Sequence, residues 1–485
     1  MQVLKKLFEQ HFGLLAETVQ PLQGALGASG RIIVRLTGGG RSAIGILYTV
    51  REENLAFISF SRHFRRLGLP VPEIFAEALD EGAYLEEDLG DTTLFEFLGC
   101  NRQGETIASE AVEAYRKVVA ALPRFQVEAG RGLNYKVCTP RPSFDKQSIA
   151  WDLNYFKYYF LRLAGIPFNE QALEVDFSRL TKFLLSADHD YFLYRDFQSR
   201  NVMLRNGQPY FLDYQGGRKG ALQYDIASLL YDAKADLPPA LRQQLLEHYL
   251  DCLSGHIRLD RGAFMEHYYA YVHVRIMQAL GAYGFRGFYE RKTHFLQSVP
   301  YALKNLRWLE ENVKLPLALP VLMEALGAIA RSEKLEALGT VAPAATPAPG
   351  PAPVLTVRVF SFSFHREQPV DPYGNGGGYV FDTRSLPNPG REARFRELTG
   401  KDAAVAEFLS REESVRCYLA GVEALVDASV EAYQRRGFQN LMVAFGCTGG
   451  QHRSVFLAEQ LARHLRAKSG VEVAVRHIEL EKMGR

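Results

Sequence analysis

Tyr191 to Gly217 reads YFLYRDFQSRNVMLRNGQPYFLDYQGG, and this stretch decides what kind of molecule the chain makes. Asp196 is followed five positions later by Asn201, then by the apolar run Val202–Leu204 and a turn at Asn206–Gly207; the next run ends at Asp213. Asn-Gly between two apolar runs is a strong hairpin signal. The stretch therefore predicts a loop carrying Asp196 and Asn201, a hairpin, and a second loop opening on Asp213. Phosphoryl transfer needs such a set: a carboxylate to orient the attacking hydroxyl, and hard oxygen ligands to hold Mg²⁺ against the phosphates of ATP. In this reading Asp196 is the base, and Asn201 and Asp213 are the metal ligands. The plain alternative is that Asp196 and Asn201 stabilise a loop while Asp213 caps a turn. It explains each residue singly but not the three together.

Working outward, RIIVRL and SAIGILYTV flank TGGG, whose glycines supply a tight hairpin turn. NLAFISFSRHFRRLGLP has helical spacing through Leu55, Ile58, Phe64 and Leu67 and stops at Gly68 and Pro70. AYLEEDLGD reads as a short strand running into a loop. From there to Leu335 the pattern is helical, apart from residues 190–215. The aromatic run Trp151–Leu163 reads first as core packing. His267 and His273 likewise fall in a buried helical pattern and read as packed, not ligating. Asp225, in QYDIASLL, reads as a helix cap bracing the catalytic loop. A small β-rich lobe followed by a larger helical lobe is the layout of protein-kinase-like folds.

Length and composition bound the rest. At 485 residues, more than one core is expected. APAATPAPGPAP, residues 342–353, places five prolines among small residues and reads as an extended spacer. The expected division is a kinase-like module over 1–338 (small lobe about 1–90, helical lobe about 91–338), a linker over 339–353 and a second module over 354–485. Basic and acidic residues number 57 and 55, so net charge gives no general push toward nucleic acid. Cysteines at 100, 138, 252, 417 and 447 form no CxxC pair, which argues against a disulfide framework or structural zinc and for a reducing cytoplasm. No stretch has membrane-spanning length and apolarity; oligomeric state is not legible.

YRDFQSRNVML, FLDYQGG, YDIASLLYD (Tyr224–Asp232) and LEEDLGDTTL at the lobe junction resemble the aminoglycoside phosphotransferase and choline kinase superfamily. Within it they resemble the bacterial anomeric kinases of N-acetylmuramate and N-acetylglucosamine. The resemblance implies an ATP- and Mg²⁺-dependent phosphotransferase with a sugar hydroxyl as acceptor, in cell-wall recycling. It implies that Gly27, Ser29, Gly30, Arg31, Glu87 and Leu89 hold the nucleotide and that Asp152 and Arg195 line the sugar pocket. Two positions depart from the pattern. Tyr194 stands where the superfamily's catalytic loop has His, and DYQ stands where protein kinases have Asp-Phe-Gly. The larger departure is an absence: no lysine occurs between Lys6 and Lys117, so the small lobe has none to bridge the phosphates. Phosphate charge then falls to Arg31, Arg35, Arg41 or Arg51, to the metal, and to the backbone of GALGASGR (Gly24, Gly27, Ser29, Gly30). A pseudokinase stays open on these grounds.

The second module begins with the alternating strand VLTVRVFSFSF. A glycine turn and a strand through Phe381 follow, then a helix around 403–409, a long helix over 415–436 and the strand NLMVAFG. FGCTGGQHRSV, Phe445–Val455, comes next and leads into a helix from Ser454 with Val455, Ala458, Leu461 and Leu465 on one face; VEVAVRHIEL closes the module. Two glycines, an arginine and a helix N-terminus make this loop an anion site. Cys447 and Arg453 also stand at cysteine-phosphatase spacing, with Asp371 or Asp382 as the acid. VFDTRSLPNP, LTGKD and GCTGGQHRSV resemble the C-terminal domain of RapZ-type RNase adapter proteins. That resemblance implies an amino-sugar phosphate held by Asp382, Arg384 and the loop Cys447, Thr448, Gly449, Gly450, Gln451, His452, Arg453 and Ser454, and favours a sensor over a phosphatase. It also raises an RNA or protein partner for 354–485, with Arg391, Arg394, Arg396 and Lys401 as contacts. The expected fold class is α/β and α+β multidomain: a bilobal kinase-like fold, a Pro-rich linker, and a small α/β domain with a phosphate-binding strand–loop–helix.

Overall fold

The computed structural model describes residues 1–22, 30–339, 354–366, 368–371, 378–435 and 438–483. The chain divides into two compact units, built mainly from the residues before and after the start of the proline-rich segment.

The first unit opens with helix α1 (Gln2–Phe12) and a five-stranded antiparallel sheet of β1 (Thr18–Pro21), β2 (Ile32–Gly38), β3 (Arg41–Leu47), β4 (Ile74–Ala78) and β5 (Ala83–Glu87), in the order β1-β2-β3-β5-β4. Gly39 and Gly40 form the two-residue turn between β2 and β3, both left-handed at φ 56° and 75°. This is the primed turn that matches strand twist, and glycine takes it without steric cost. Alternation along the strands gives the sheet two apolar faces. Val34, Leu36, Ala43 and Leu85 pack under α1, and Ile44, Ile46 and Tyr84 face the core that includes Phe57 and Phe60 of α2 (Arg51–Arg66). The edge strands β1 and β4 lay outside the sequence reading. Both are short and partly exposed, and neither has a strong apolar alternation to announce it.

The larger lobe is helical, and within it α3 (Lys146–Phe156), α4 (Gln223–Leu230) and α5 (Arg261–Gly284) bear on the site. Strand β6 (Tyr191–Leu193) pairs antiparallel with β9 (Arg218–Gly220), so the two ends of the catalytic stretch are held together at Leu193 and Arg218. Between them β7 (Val202–Arg205) and β8 (Gln208–Phe211) form the expected hairpin, with Asn206 and Gly207 left-handed at φ 52° and 69°. The aromatic run on and after α3 is less buried than expected: Trp151, Tyr158 and Leu163 are each about half-exposed, while Phe156 and Phe160 form the core side. His267 and His273 are buried and bonded to helix carbonyls, as expected of packed histidines.

The second unit is an all-parallel sheet of β10 (Leu355–Ser363), β11 (Tyr379–Asp382), β12 (Asn440–Cys447) and β13 (Val471–His477), in the order β11-β12-β10-β13. Helices α6 (Ala403–Arg411), α7 (Glu413–Arg435) and α8 (Arg453–Arg466) accompany it, and Val455, Ala458, Leu461 and Leu465 of α8 are buried. Parallel order brings the C-terminal ends of the strands to one edge, where ligands of open α/β sheets bind. Ser363, Asp382 and Cys447 all stand there.

Candidate functional site

Asp225 organises the first site. It is fully buried at the start of α4 and accepts the backbone N–H of Tyr194 at 2.8 Å and of Arg195 at 3.0 Å, with the Gln126 amide at 3.3 Å. Burial pushes its carboxyl up to about 7, while those three donors hold it down. Asp225 thus braces the catalytic loop but is not the helix cap: the N-cap of α4 is Leu222.

Two non-glycine residues beside Asp196 and Asn201 are left-handed, Arg195 at φ 82° and Asp213 at φ 65°. Such positions persist only where the surroundings over-determine them. Arg195 is clamped by a bidentate pair with Asp152, at 2.7 Å on both arms, and by the Tyr224 hydroxyl at 2.7 Å. Asp213 accepts from the Asn201 amide at 3.2 Å, the Gln215 amide at 2.7 Å and an Arg31 N–H at 3.3 Å. Asn201 also donates to the carbonyl of Asp196 at 2.9 Å, so the three residues singled out in the sequence share one network. Burial first, and then repulsion from Asp213, raise the Asp196 carboxyl above its ordinary range; Arg195, Arg275 and Arg218 oppose the rise. Gly216 lies beside Asp196: a Cβ there would stand in ordinary contact with Asp196 Oδ2, at 3.6 Å.

The two substitutions in the motif have a physical account. The Tyr194 hydroxyl donates to the carbonyl of Leu212 at 2.5 Å, tying the catalytic loop to the residue before Asp213. Tyr214 stacks on Phe57 of α2 at 4.8 Å, and its hydroxyl lies 2.5 Å from Ser61 Oγ. Neither role is visible locally, because each partner is distant in sequence.

Of the four arginines raised in place of the missing lysine, the structure brings one to this centre. Arg31 pairs with Glu53 at 2.6 Å and with Asp213 at 3.3 Å. Arg35 is held by Asp88 at 2.7 Å and Asp91 at 2.8 Å, Arg51 lies 3.5 Å from Asp80, and Arg41 is exposed beside the hairpin turn. Gly24, Gly27 and Ser29 lie outside the described residues; Gly30 is left-handed at φ 73°. Leu89 is buried, and it lines a shallow surface depression together with Arg35, Ser42, Asp88 and Arg205. The Glu87 side chain turns to Arg205 at 2.6 Å and Arg65 at 3.4 Å, and its backbone N–H donates to the Glu73 carbonyl at 2.8 Å. Asp152 and Arg195, both expected to line the sugar pocket, satisfy each other as an ion pair.

The sequence reading missed Glu86. It is buried on β5 and its Oε2 has no hydrogen-bond partner. Burial pushes its carboxyl up to about 8, against a partial counterweight from Arg31. At pH 7 the folded chain then holds a proton on Glu86 that the unfolded chain has released. Stability contributed by this group is full below about pH 4.5 and falls as pH rises toward 8, by at most about 1.4 kcal/mol per pH unit. Urea unfolding of Glu86→Gln is accordingly expected to show a flatter dependence than the parent between pH 5 and 8, and equal slopes would refute the assignment.

At the second site, Cys447 ends β12 and is buried, at 3% exposure for the residue. Its Sγ accepts the Gly450 N–H at 3.1 Å and lies 3.2 Å from Ser454 Oγ. Gly450 is left-handed at φ 70°, and a Cβ there would meet Glu479 Cγ at 2.6 Å and Ser363 N at 3.0 Å; Ser363 Oγ in turn donates to the Thr448 carbonyl at 2.6 Å. The exposed lip of the loop is Thr448 and Gly449. Arg453 is buried, and its Nη1 donates at 2.9 Å to the carbonyls of Arg384 and Leu386 while Nη2 reaches Thr448 Oγ1 at 3.3 Å. Asp382 and Arg384 form a two-armed pair at 2.7–3.0 Å, which with the Arg384 N–H holds the Asp382 carboxyl below its ordinary range. His452 bonds the Phe395 carbonyl at 2.9 Å, and the Gln451 carbonyl accepts from Gly400 N–H at 2.8 Å. Asp371 belongs to a described segment, but the glycine turn after it, residues 372–377, does not. Of the basic residues raised as RNA contacts, Arg394 pairs with Glu392 at 2.7 Å and Lys401 lies 3.8 Å from Glu459.

A two-lobed fold with a carboxylate, an amide and a second carboxylate on adjoining loops defines the first unit as kinase-like, and a parallel sheet with a glycine loop before a helix N-terminus defines the second as a small α/β domain. Comparison with known proteins agrees by segment. Residues 24–262 match the phosphotransferase enzyme family, and residues 355–481 match the RapZ C-terminal domain. The chain therefore carries a phosphotransferase-family domain followed by a RapZ C-terminal domain. A nucleotide-binding protein of Xylella fastidiosa (strain M23) is 43% identical over 121 residues, 25% of this chain and 40% of that protein. One of Janthinobacterium sp. (strain Marseille) is 42% identical over 127 residues, 26% of this chain and 42% of that protein. The chain thus spans about two fifths of the length of these curated relatives. Among solved structures, choline kinase LicA from Streptococcus pneumoniae is 14% identical with a TM-score of 0.43, covering 63% of this chain and 98% of its own. The amicoumacin kinase hAmiN, in complex with AMP-PNP, Ca²⁺ and Ami, is 13% identical with a TM-score of 0.43, covering 68% and 92%. Among the described residues no helix is long and apolar enough to cross a membrane.

Proposed function

We propose that the first domain transfers the terminal phosphoryl group of ATP to a hydroxyl of a small amino sugar, and that the second domain holds an amino-sugar phosphate. The observation that carries the first part is the network joining Asp196, Asn201 and Asp213. Among the described residues no three His, Cys, Asp or Glu side chains cluster as a metal cage. The donor set of one amide and one carboxylate instead suits a Mg²⁺ ion that arrives with the nucleotide and keeps phosphate and water ligands. When bound, that ion would neutralise charge on the phosphates. The protein's own part is to position and to take a proton. The raised Asp196 carboxyl accepts the proton of the attacking hydroxyl, and the Asp152–Arg195 pair beside it offers polar groups to a sugar.

For the second domain the support is the exposed Thr448–Gly449 lip above the start of α8, beside Arg384. A cysteine-phosphatase reading has less behind it: the thiol is buried, and the ionised Asp382 has no proton to give at neutral pH. Incubating the chain with ATP, Mg²⁺ and free hexosamines, followed by ³¹P NMR, tests the catalytic proposal. A new sugar-phosphate resonance is expected from at least one N-acetylated amino sugar. Nucleotide binding without turnover across the panel would instead make the first domain a pseudokinase.

A further inference from the structure

We infer that Arg31 bridges the nucleotide phosphates in place of the absent lysine and that Glu53, in the first turn of α2, is its positioning residue. This rests on the phosphoryl-transfer reading above. The lysine gap runs from Lys6 to Lys117, and β3 presents Ile44 and Ile46 to the core between the sheet and α2. Arg31 enters from the start of β2, directly after the glycine-rich segment. Its side chain is only 12% exposed, with one arm on Glu53 at 2.6 Å, another on Asp213 at 3.3 Å, and its plane over the Tyr48 ring at 4.8 Å. Its Nε is buried with no partner. Two carboxylates on one guanidinium leave the cluster short of positive charge. Asp213 and Asn201 would hold a divalent cation, and the Arg31 arm now on Asp213 has the planar donor geometry that suits phosphate oxygens.

The arrangement differs from a strand lysine in what it couples. Helix α2 holds Arg31 through Glu53 and holds the Asp213 loop through Ser61 and Phe57 against Tyr214. Both sides of the phosphate position are therefore set by one helix, and a shift of α2 alters both.

The test combines steady-state kinetics with calorimetry of AMP-PNP, with and without Mg²⁺, and with thermal melting. Arg31→Ala is expected to weaken AMP-PNP binding and raise KM for ATP at least tenfold, leaving KM for the acceptor within twofold. Arg31→Lys is expected to recover most of the loss. Glu53→Gln should raise KM for ATP several-fold in the parent and have no further effect in Arg31→Ala. A fold-only role for the pair would lower the melting temperature of Arg31→Ala while leaving nucleotide affinity and KM for ATP unchanged, and that result overturns the inference. It leaves the functional reading intact, because that reading fails on a separate result: no nucleotide binding, or no Asp196-dependent transfer, by the unmutated chain.

Discussion

Asp196→Asn is expected to lower kcat for phosphoryl transfer by about 10²- to 10⁴-fold while nucleotide affinity stays within a few-fold. The substitution keeps the shape of the side chain but removes the proton acceptor. It leaves the loop in place, since the bracing bonds run through the backbone of Tyr194 and Arg195 and through the Asp196 carbonyl. Asp213→Asn should fail differently. Its carboxylate accepts from Asn201, Gln215 and Arg31, and an amide there loses charge toward both the metal and Arg31. Binding of Mg²⁺-nucleotide should weaken before turnover does. Single-turnover rates and AMP-PNP calorimetry on both variants separate the outcomes, and equal mild losses would place the chemistry on another loop.

The second large effect is expected at Arg453. Its Nη1 is bonded to the carbonyls of Arg384 and Leu386, so Arg453→Ala removes the tie between the anion loop and the segment carrying Arg384. Affinity for glucosamine 6-phosphate should fall about ten- to a hundredfold, equivalent to roughly 1.5–3 kcal/mol, with a lower melting temperature because two buried carbonyls lose their donor. Cys447→Ser should change binding little, since the sulfur's observed partners are the loop's own Gly450 N–H and Ser454 hydroxyl. Calorimetry with phosphate-release controls decides this. Binding indifferent to Arg453, or phosphate release that depends on Cys447, would be incompatible with a sensing loop.

What the sequence made legible was local. Asp196, Asn201 and the Asn206–Gly207 turn lie within a dozen residues, and their spacing alone prescribes loop, hairpin and loop. The Gly39–Gly40 turn and the apolar face of α8 were legible for the same reason. Contacts across long separations were not. Arg31 meets Asp213 across 182 positions, and four arginines compete for that role on equal sequence grounds until Asp88, Asp91 and Asp80 are seen to take Arg35 and Arg51. Asp152 and Arg195 were both readable as polar residues near an acceptor, but nothing in their spacing says that they satisfy each other. Arg453 shows the same limit: an arginine after a glycine loop signals an anion, whereas its service to two backbone carbonyls is a property of the folded domain alone.

The left-handed backbone at Arg195 and Asp213 bears on stability. Each is a conformation that glycine adopts freely and a larger residue adopts at a cost on the order of 1 kcal/mol or more. Replacing either by glycine would relieve that cost, but it would leave the buried Asp152 carboxylate without its cation, or strip Asn201, Gln215 and Arg31 of the acceptor they share, and these losses outweigh the relief. At these two positions the side chains hold the backbone against its own preference, so Arg195→Gly and Asp213→Gly are each expected to lower the melting temperature although the backbone is freer.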